Sequence, residues 1–176
     1  MIRCYVTDSR QGDVMAASRR AIAGGVDYIQ VREKDLSGRD LFDLVCRVRD
    51  LAAGSATRVL VNDRLDIALA AGLDGVHLPA NGLPADRVRP FVSILGVSTH
   101  TLEEALAAEK ARANFIILGP IFETPGKHAA GLDILRRVTS VVHIPVLAIG
   151  GITQTNTSLV IDAGAAGIAA IRLFQF

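Results

Sequence analysis

The sequence predicts an α/β fold, a (β/α)8 TIM barrel in one domain, on three observations. Short, near-continuously apolar runs of four to six residues recur eight times, as parallel strands covered on both faces do. Amphipathic stretches at helical spacing lie between them. Sixteen glycines without a single tryptophan suit tight strand-to-helix turns rather than an all-β sandwich. A doubly wound open sheet is the structural alternative, but it generally has fewer strands and a GxGxxG turn, which this chain lacks.

Taken in order, the strand candidates are 3–7, 27–32, 58–62, 75–78, 93–97, 114–119, 145–150 and 167–171. The stretch 14–23 carries its arginines on one side, and 39–53 reads RDLFDLVCRVRDLAA with apolar residues at helical spacing. Ser37 is placed to cap that second helix. Thr101-Leu102-Glu103-Glu104 forms a capping box opening a helix that runs to about Ala111. A shorter helix over 155–163 is ended by Gly164. The last residues, Leu173-Phe174-Gln175-Phe176, follow the eighth strand directly. The helix expected to cover strands eight and one is therefore missing, so that either a partner subunit covers the seam, as in a homodimer, or the chain is truncated.

The chain has 176 residues, one domain's worth where domains run about 100–200 residues. It is short for a barrel of this kind, typically about 250 residues. Half of the residues are apolar and 21% are charged, which permits a sizeable core and argues against disorder. Nineteen basic against eighteen acidic residues leave a charge of +1, giving no electrostatic reason to expect nucleic acid or an anionic membrane as partner. No apolar run approaches the ~20 residues that span a bilayer. The amino terminus turns polar too soon for a signal peptide, and a cytoplasmic location is expected. Cys4 and Cys46 stand in no metal-binding spacing and read as small buried hydrophobes.

In such barrels the active site lies at the carboxyl ends of the strands, and that is where the polar residues collect. Strand two ends in Gln30-Val31-Arg32-Glu33-Lys34, and alternation puts Gln30, Arg32 and Lys34 on one side. Strand three ends in Asn62-Asp63, strand four in His77, and strand five in Ser98-Thr99-His100. Strand six runs into Gly119-Pro120-Ile121-Phe122-Glu123-Thr124-Pro125-Gly126-Lys127, strand seven into Gly150-Gly151, and strand eight into Ile171-Arg172. Cationic side chains converging with Asn62 and the carboxylate of Asp63 suit a polyanion and Mg2+. Gly150-Gly151 offers bare backbone N–H groups at the usual barrel phosphate site. Each element also has a plainer explanation. The charged run 32–35 reads equally as a solvated cluster, Asn62-Asp63 as a helix cap, His77 as a core histidine, and the glycine pair as a turn.

Six blocks in order, Gln30 through Lys34, Val61-Asn62-Asp63, Gly75-Val76-His77-Leu78, Gly96 through Thr101, Gly119-Pro120-Ile121-Phe122 with Thr124 and Lys127, and Ile149 through Ile152, resemble the thiamine phosphate synthase family. That family includes TenI-type thiazole tautomerases. The resemblance implies a transferase that joins hydroxymethylpyrimidine diphosphate to a thiazole phosphate and releases pyrophosphate. It places Gln30, Arg32 and Lys34 on the pyrimidine diphosphate, with Asn62 and Lys127 also on its phosphates. It makes Asp63 a Mg2+ ligand and sets Ser98 in the pyrimidine pocket. Thr124, Gly150 or Gly151, Ile171 and Arg172 fall where the thiazole phosphate is held.

Three departures stand out. The second metal carboxylate of the synthase pattern is absent, since the segment here is Pro79-Ala80-Asn81-Gly82, with Asn81 a neutral oxygen donor nearby. Gly126 replaces a threonine, and Arg172 replaces a serine. The segment from His77 to Pro79 is closer to the tautomerase branch, in which a histidine at the place of His100 shuttles a proton with no metal. A noncatalytic paralogue binding thiazole phosphate or thiamine phosphate is a third expectation. A barrel acting on another phosphorylated metabolite would share the glycine loop but not the six blocks.

Overall fold

The computed structural model describes residues 1–126 and 128–174. Eight parallel strands close into a barrel in sequence order: β1 (Ile2–Val6), β2 (Tyr28–Val31), β3 (Arg58–Asn62), β4 (Gly75–Leu78), β5 (Ile94–Thr99), β6 (Phe115–Leu118), β7 (Val146–Ile149) and β8 (Gly167–Ala170). The ring closes where Cys4 of β1 pairs with Ala169 of β8. Around it run α1 (Val14–Ala23), α2 (Gly38–Ala52), α3 (Leu65–Ala70), α4 (Ala85–Val88), α5 (Leu102–Lys110), α6 (Gly131–Thr139) and α7 (Thr157–Asp162). Beyond β8 the described chain makes one 3-10 turn, Arg172–Phe174. Phe174 meets Tyr5, on the outer face of β1, edge-on with ring centroids 6.2 Å apart. No helix among the described residues is long and apolar enough to cross a membrane.

The helix boundaries follow from local chemistry. Asp13 accepts hydrogen bonds from the backbone N–H groups of Met15 and Ala16 and starts α1. Ser37 accepts from Asp40 N–H at the start of α2, and Thr101 from Glu104 N–H at the start of α5. Glu104 then reaches back to the N–H of His100, one residue before the cap, at 2.6 Å. The cap expected of Asn62-Asp63 does not form. Arg64 stands at the N-cap of α3 with no side-chain capping bond, its guanidinium bonding Asp66 instead, and Asp63 holds a positive φ of 61° while its N–H donates to His77 O.

Strand alternation divides the apolar residues into two cores. Outward residues such as Val31, Val61, Val76, Leu95 and Ile116 pack under the helices. Inward residues, Cys4, Val6, Leu60, Phe115, Ile117, Leu147 and Ala169, fill the lumen together with Tyr28. Tyr28 and Phe115 stack there at 4.9 Å. Cys4 is wholly buried and Cys46 half-buried, and both are free thiols. Burial pushes the Cys4 thiol up to about 12, so it is an inert piece of packing.

The backbone of a neighbouring strand leaves no room for a side chain at Gly75 or Gly167. A Cβ on Gly75 would sit 1.9 Å from the carbonyl oxygen of Ile94, and one on Gly167 equally close to that of Ile2. Gly75→Ala is expected to destabilise the barrel by about 3 kcal/mol, the upper range for overpacking a filled interior. Urea denaturation would show it, and an unchanged midpoint would mean that β4 and β5 can separate freely.

Candidate active site at the carboxyl ends of the strands

The polar residues that alternation directs inward sit above the apolar plug. Gln30 is buried in the lumen. His77 Nε2 and Ser98 Oγ share a hydrogen bond of 2.8 Å, made between adjacent strands. His77 is only 1% exposed, its Nδ1 meets no partner among the described residues, and its ring lies 6.0 Å from that of Phe115. Burial pushes the His77 imidazole down to about 3, so it is neutral and acts on Ser98 as a fixed neighbour. Gly96 makes the space for this pair, because a Cβ there would lie 2.6 Å from His77 Nδ1 and 2.5 Å from Phe115.

His100 stands at the mouth, exposed, with Nδ1 2.6 Å from the carbonyl oxygen of Gly119. A carbonyl can only accept, so Nδ1 carries the proton and Nε2 is the ring's available atom.

The top of β2 is held by a network that the charged run 32–35 conceals. Alternation sends Glu33 outward, where it is buried rather than solvated. Its carboxylate accepts from Thr7 Oγ1 at 2.5 Å and from Ser9 N–H at 2.9 Å. Thr7 Oγ1 in turn accepts from the N–H of Arg32. Arg32 and Lys34 line one small cavity of about 210 Å3 together with Asp8 and Arg10. Lys34 also borders a second, of about 250 Å3, with Asn62, Asp63 and Arg64. Asp8 is nearly buried and accepts from Arg10 through Nε at 2.8 Å and Nη2 at 3.0 Å. The Arg10 guanidinium holds the Asp8 carboxyl below the usual carboxylate range.

The third cavity, about 350 Å3, brings together Thr124, Gly150, Gly151, Ile171 and Arg172, and Asp8 reaches it too. Its glycines are required. Gly150 and Gly151 have φ of 96° and 65°, and a Cβ on either would meet Pro120 at 2.3 Å or Phe122 at 2.7 Å. The strand-six loop lies that close because Ile121 and Phe122 donate their N–H groups to the carbonyls of Ile149 and Gly150. Bare backbone and the exposed cation of Arg172 on one wall suit a phosphate.

Thus Arg32, Lys34, Asn62 and Asp63 converge on one side, and Thr124, Gly150, Gly151, Ile171 and Arg172 on the other. Gln30, Ser98 and His100 line none of these three cavities. Lys127, expected on the diphosphate, lies outside the described residues.

For a divalent cation the described residues offer no cluster of three acidic, histidine or cysteine ligands. Asp63 stands with its Oδ1 2.9 Å from where a Cβ on Gly82 would be. A side chain at Gly82 would crowd Asp63 and Pro79, so this loop as folded leaves Asp63 without a carboxylate neighbour there. One carboxylate fits Mg2+, which is ordinarily held by one or two carboxylates plus substrate phosphates and water.

The chain matches the family described as thiamine monophosphate synthase over residues 4–174. It is 41% identical over 175 residues to thiamine-phosphate synthase of Chlorobium limicola, covering 96% of this chain and 83% of the relative. Over 179 residues it is 42% identical to thiamine-phosphate synthase of Chloroflexus aurantiacus, with the same coverage. Among solved structures it resembles thiamine phosphate pyrophosphorylase from Pyrococcus furiosus with a TM-score of 0.90 and 36% identity, over 97% of this chain and 85% of that one.

The buried imidazole also makes stability depend on pH. Below about 6.5 the unfolded chain protonates this histidine while the folded one does not. Its contribution is whole above 6.5 and drains away as pH falls toward 3. The urea midpoint of His77→Gln, which cannot titrate, should therefore fall less steeply over that window than the parent's. Parallel curves would show that His77 titrates alike in the folded and unfolded chain.

Proposed function

Because the chain belongs to the thiamine monophosphate synthase family, we propose that it makes thiamine phosphate by joining hydroxymethylpyrimidine diphosphate to a thiazole phosphate, with release of pyrophosphate. The observation that supports this most directly is the pair of anion-suited regions at one barrel mouth, one built from cationic side chains and one from bare glycine backbone. Two phosphorylated substrates held side by side react as one unit, which removes the entropic cost of their encounter.

Arg32 and Lys34, with Lys127 and Asn62, would bind the diphosphate and offset the charge that grows on it as the C–O bond to the pyrimidine methylene breaks. Gln30 and Ser98 would hold the pyrimidine, with His77 fixing the Ser98 hydroxyl. Thr124, Gly150, Gly151, Ile171 and Arg172 would hold the thiazole phosphate, so that its ring nitrogen captures the methylene carbon. The new C–N bond takes the nitrogen lone pair, and pyrophosphate leaves with the electrons of the broken bond. No enzyme nucleophile is needed. Mg2+, held by Asp63 and the substrate phosphates, would supply further positive charge against the departing pyrophosphate.

A second reading, isomerisation of the thiazole phosphate, is favoured by one observation. Gly119 O sets the His100 tautomer and leaves Nε2 to move a proton. Both readings place the work in the same mouth, and metal dependence separates them.

Thiamine phosphate formation from the two substrates should require Mg2+ and stop with EDTA. Asp63→Ala should lower it by a factor of a hundred or more, a transition-state loss of about 3 kcal/mol, with a melting temperature only a few degrees lower, the effect of alanine at the positive φ of this position. His100→Ala should leave it largely intact. Should His100→Ala abolish the main activity while Asp63→Ala spares it, the isomerase reading replaces this one.

A further inference from the structure

The hydrogen bond between His77 Nε2 and Ser98 Oγ can run either way, since a hydroxyl and a neutral imidazole nitrogen can each donate or accept. Its direction decides what Ser98 offers to the mouth. Buried to 1% exposure, the imidazole holds one proton for its two nitrogens. If Ser98 donated to the ring, that proton would sit on Nδ1, which is buried and meets no partner among the described residues. Proteins tolerate an unused buried lone pair better than an orphaned N–H.

The surroundings of Nδ1 point the same way. A Cβ on Gly96 would lie 2.6 Å from His77 Nδ1, 2.5 Å from Phe115 Cζ and 2.9 Å from Phe115 Cε2. With the two ring centroids 6.0 Å apart, it is the edge of Phe115 that Nδ1 adjoins. An aromatic edge carries the positive end of the ring quadrupole, which suits a bare nitrogen and opposes an N–H. The proton is thus on Nε2, and Ser98 Oγ accepts it. His100 is the opposite case, with its proton on Nδ1 against Gly119 O.

Having accepted from the ring, the Ser98 hydroxyl turns its own hydrogen away from His77. Ser98 faces the lumen as Gly96 does, two residues earlier. It is partly exposed, and its hydroxyl makes no other hydrogen bond among the described residues. We infer that His77 is a positioning residue that sets specificity: it makes Ser98 a hydrogen-bond donor to the mouth, selecting a substrate ring that presents a bare nitrogen there over one that presents C–H or N–H. That the ring is a pyrimidine rests on the reaction proposed above, whereas the polarity of Ser98 does not.

Long-range 1H–15N correlation on the chain labelled with 15N-histidine reads the tautomer directly, the His77 ring being identified by its loss in His77→Phe. A protonated Nε2 beside a bare Nδ1 is expected, and a protonated Nδ1 overturns the inference. Specificity is read by calorimetry with hydroxymethylpyrimidine diphosphate and Mg2+, the thiazole phosphate being withheld. Of the two analogues in which one ring nitrogen is replaced by C–H, at least one should bind about tenfold more weakly than the substrate, the effect of leaving a hydroxyl unpaired. Ser98→Ala should close that gap. His77→Phe, which frees the hydroxyl to turn, should narrow it to about threefold. A parent that binds both analogues as well as the substrate, or a tenfold gap that persists in either variant, overturns the selection. A parent that binds no pyrimidine diphosphate at all refutes the transferase reading instead, and the tautomer still decides the polarity of Ser98.

Discussion

The stacked rings of Tyr28 and Phe115 plug the barrel, and the rest of the site depends on that plug. Eight strands enclose a lumen that side chains must fill, since a void there forfeits packing on every side. Aromatic rings from the first residues of β2 and β6 stack within it, in one apolar cluster with Leu60, Ile117 and Leu147. Inward polar residues therefore have one place to go, the carboxyl end above the rings. His77, in ring contact with Phe115, marks the boundary between the dry plug and the polar mouth, and its neutrality follows from that position.

Above the plug, precision comes from hydrogen bonds that hold the binding residues rather than from those residues themselves. Glu33 links the ends of β1 and β2 through Thr7 and Ser9, and so places Arg32 and Lys34 without contacting their charged heads. Asn156 does similar service at the glycine loop, where its amide donates to Gly151 O and accepts from Thr153 N–H. Fixed supports of this kind let the cations meet an anion without first being ordered.

Much of this was legible in the sequence because strand and helix periods are strong signals. The runs 58–62 and 75–78 form strands with the bounds expected, and 14–23 a helix with the bounds expected. The strand from 93 extends instead to Thr99, since Ser98 and Thr99 still pair with Ile117 and Leu118 of β6. The helices α3, α4 and α6 stand outside the elements expected. The first two have six and four residues, too few for a helical period to register. Gln30, Arg32, Asn62, Ser98 and the glycine pair could be placed by alternation and position alone. Glu33, Asp8 and Arg10 could not. The bonds of Glu33 need the pairing of Val6 with Gln30, and nothing in the spacing of Asp8 and Arg10 marks a shared cavity. The helix expected over β8 and β1 has a 3-10 turn in its place, with Phe174 seated against Tyr5.

Asp8 borders both the cavity of Arg32 and Lys34 and the cavity of the glycine pair. Its carboxylate is tied to the Arg10 guanidinium by two bonds, so the partition carries an ion pair rather than a bare negative charge. The cation of that pair borders the chamber of Arg32 and Lys34, while the carboxylate alone borders the chamber of the glycine pair. The wall is thus polar but close to neutral, and the pull on a phosphate comes from the cations within each chamber, Arg32 and Lys34 on one side and Arg172 on the other.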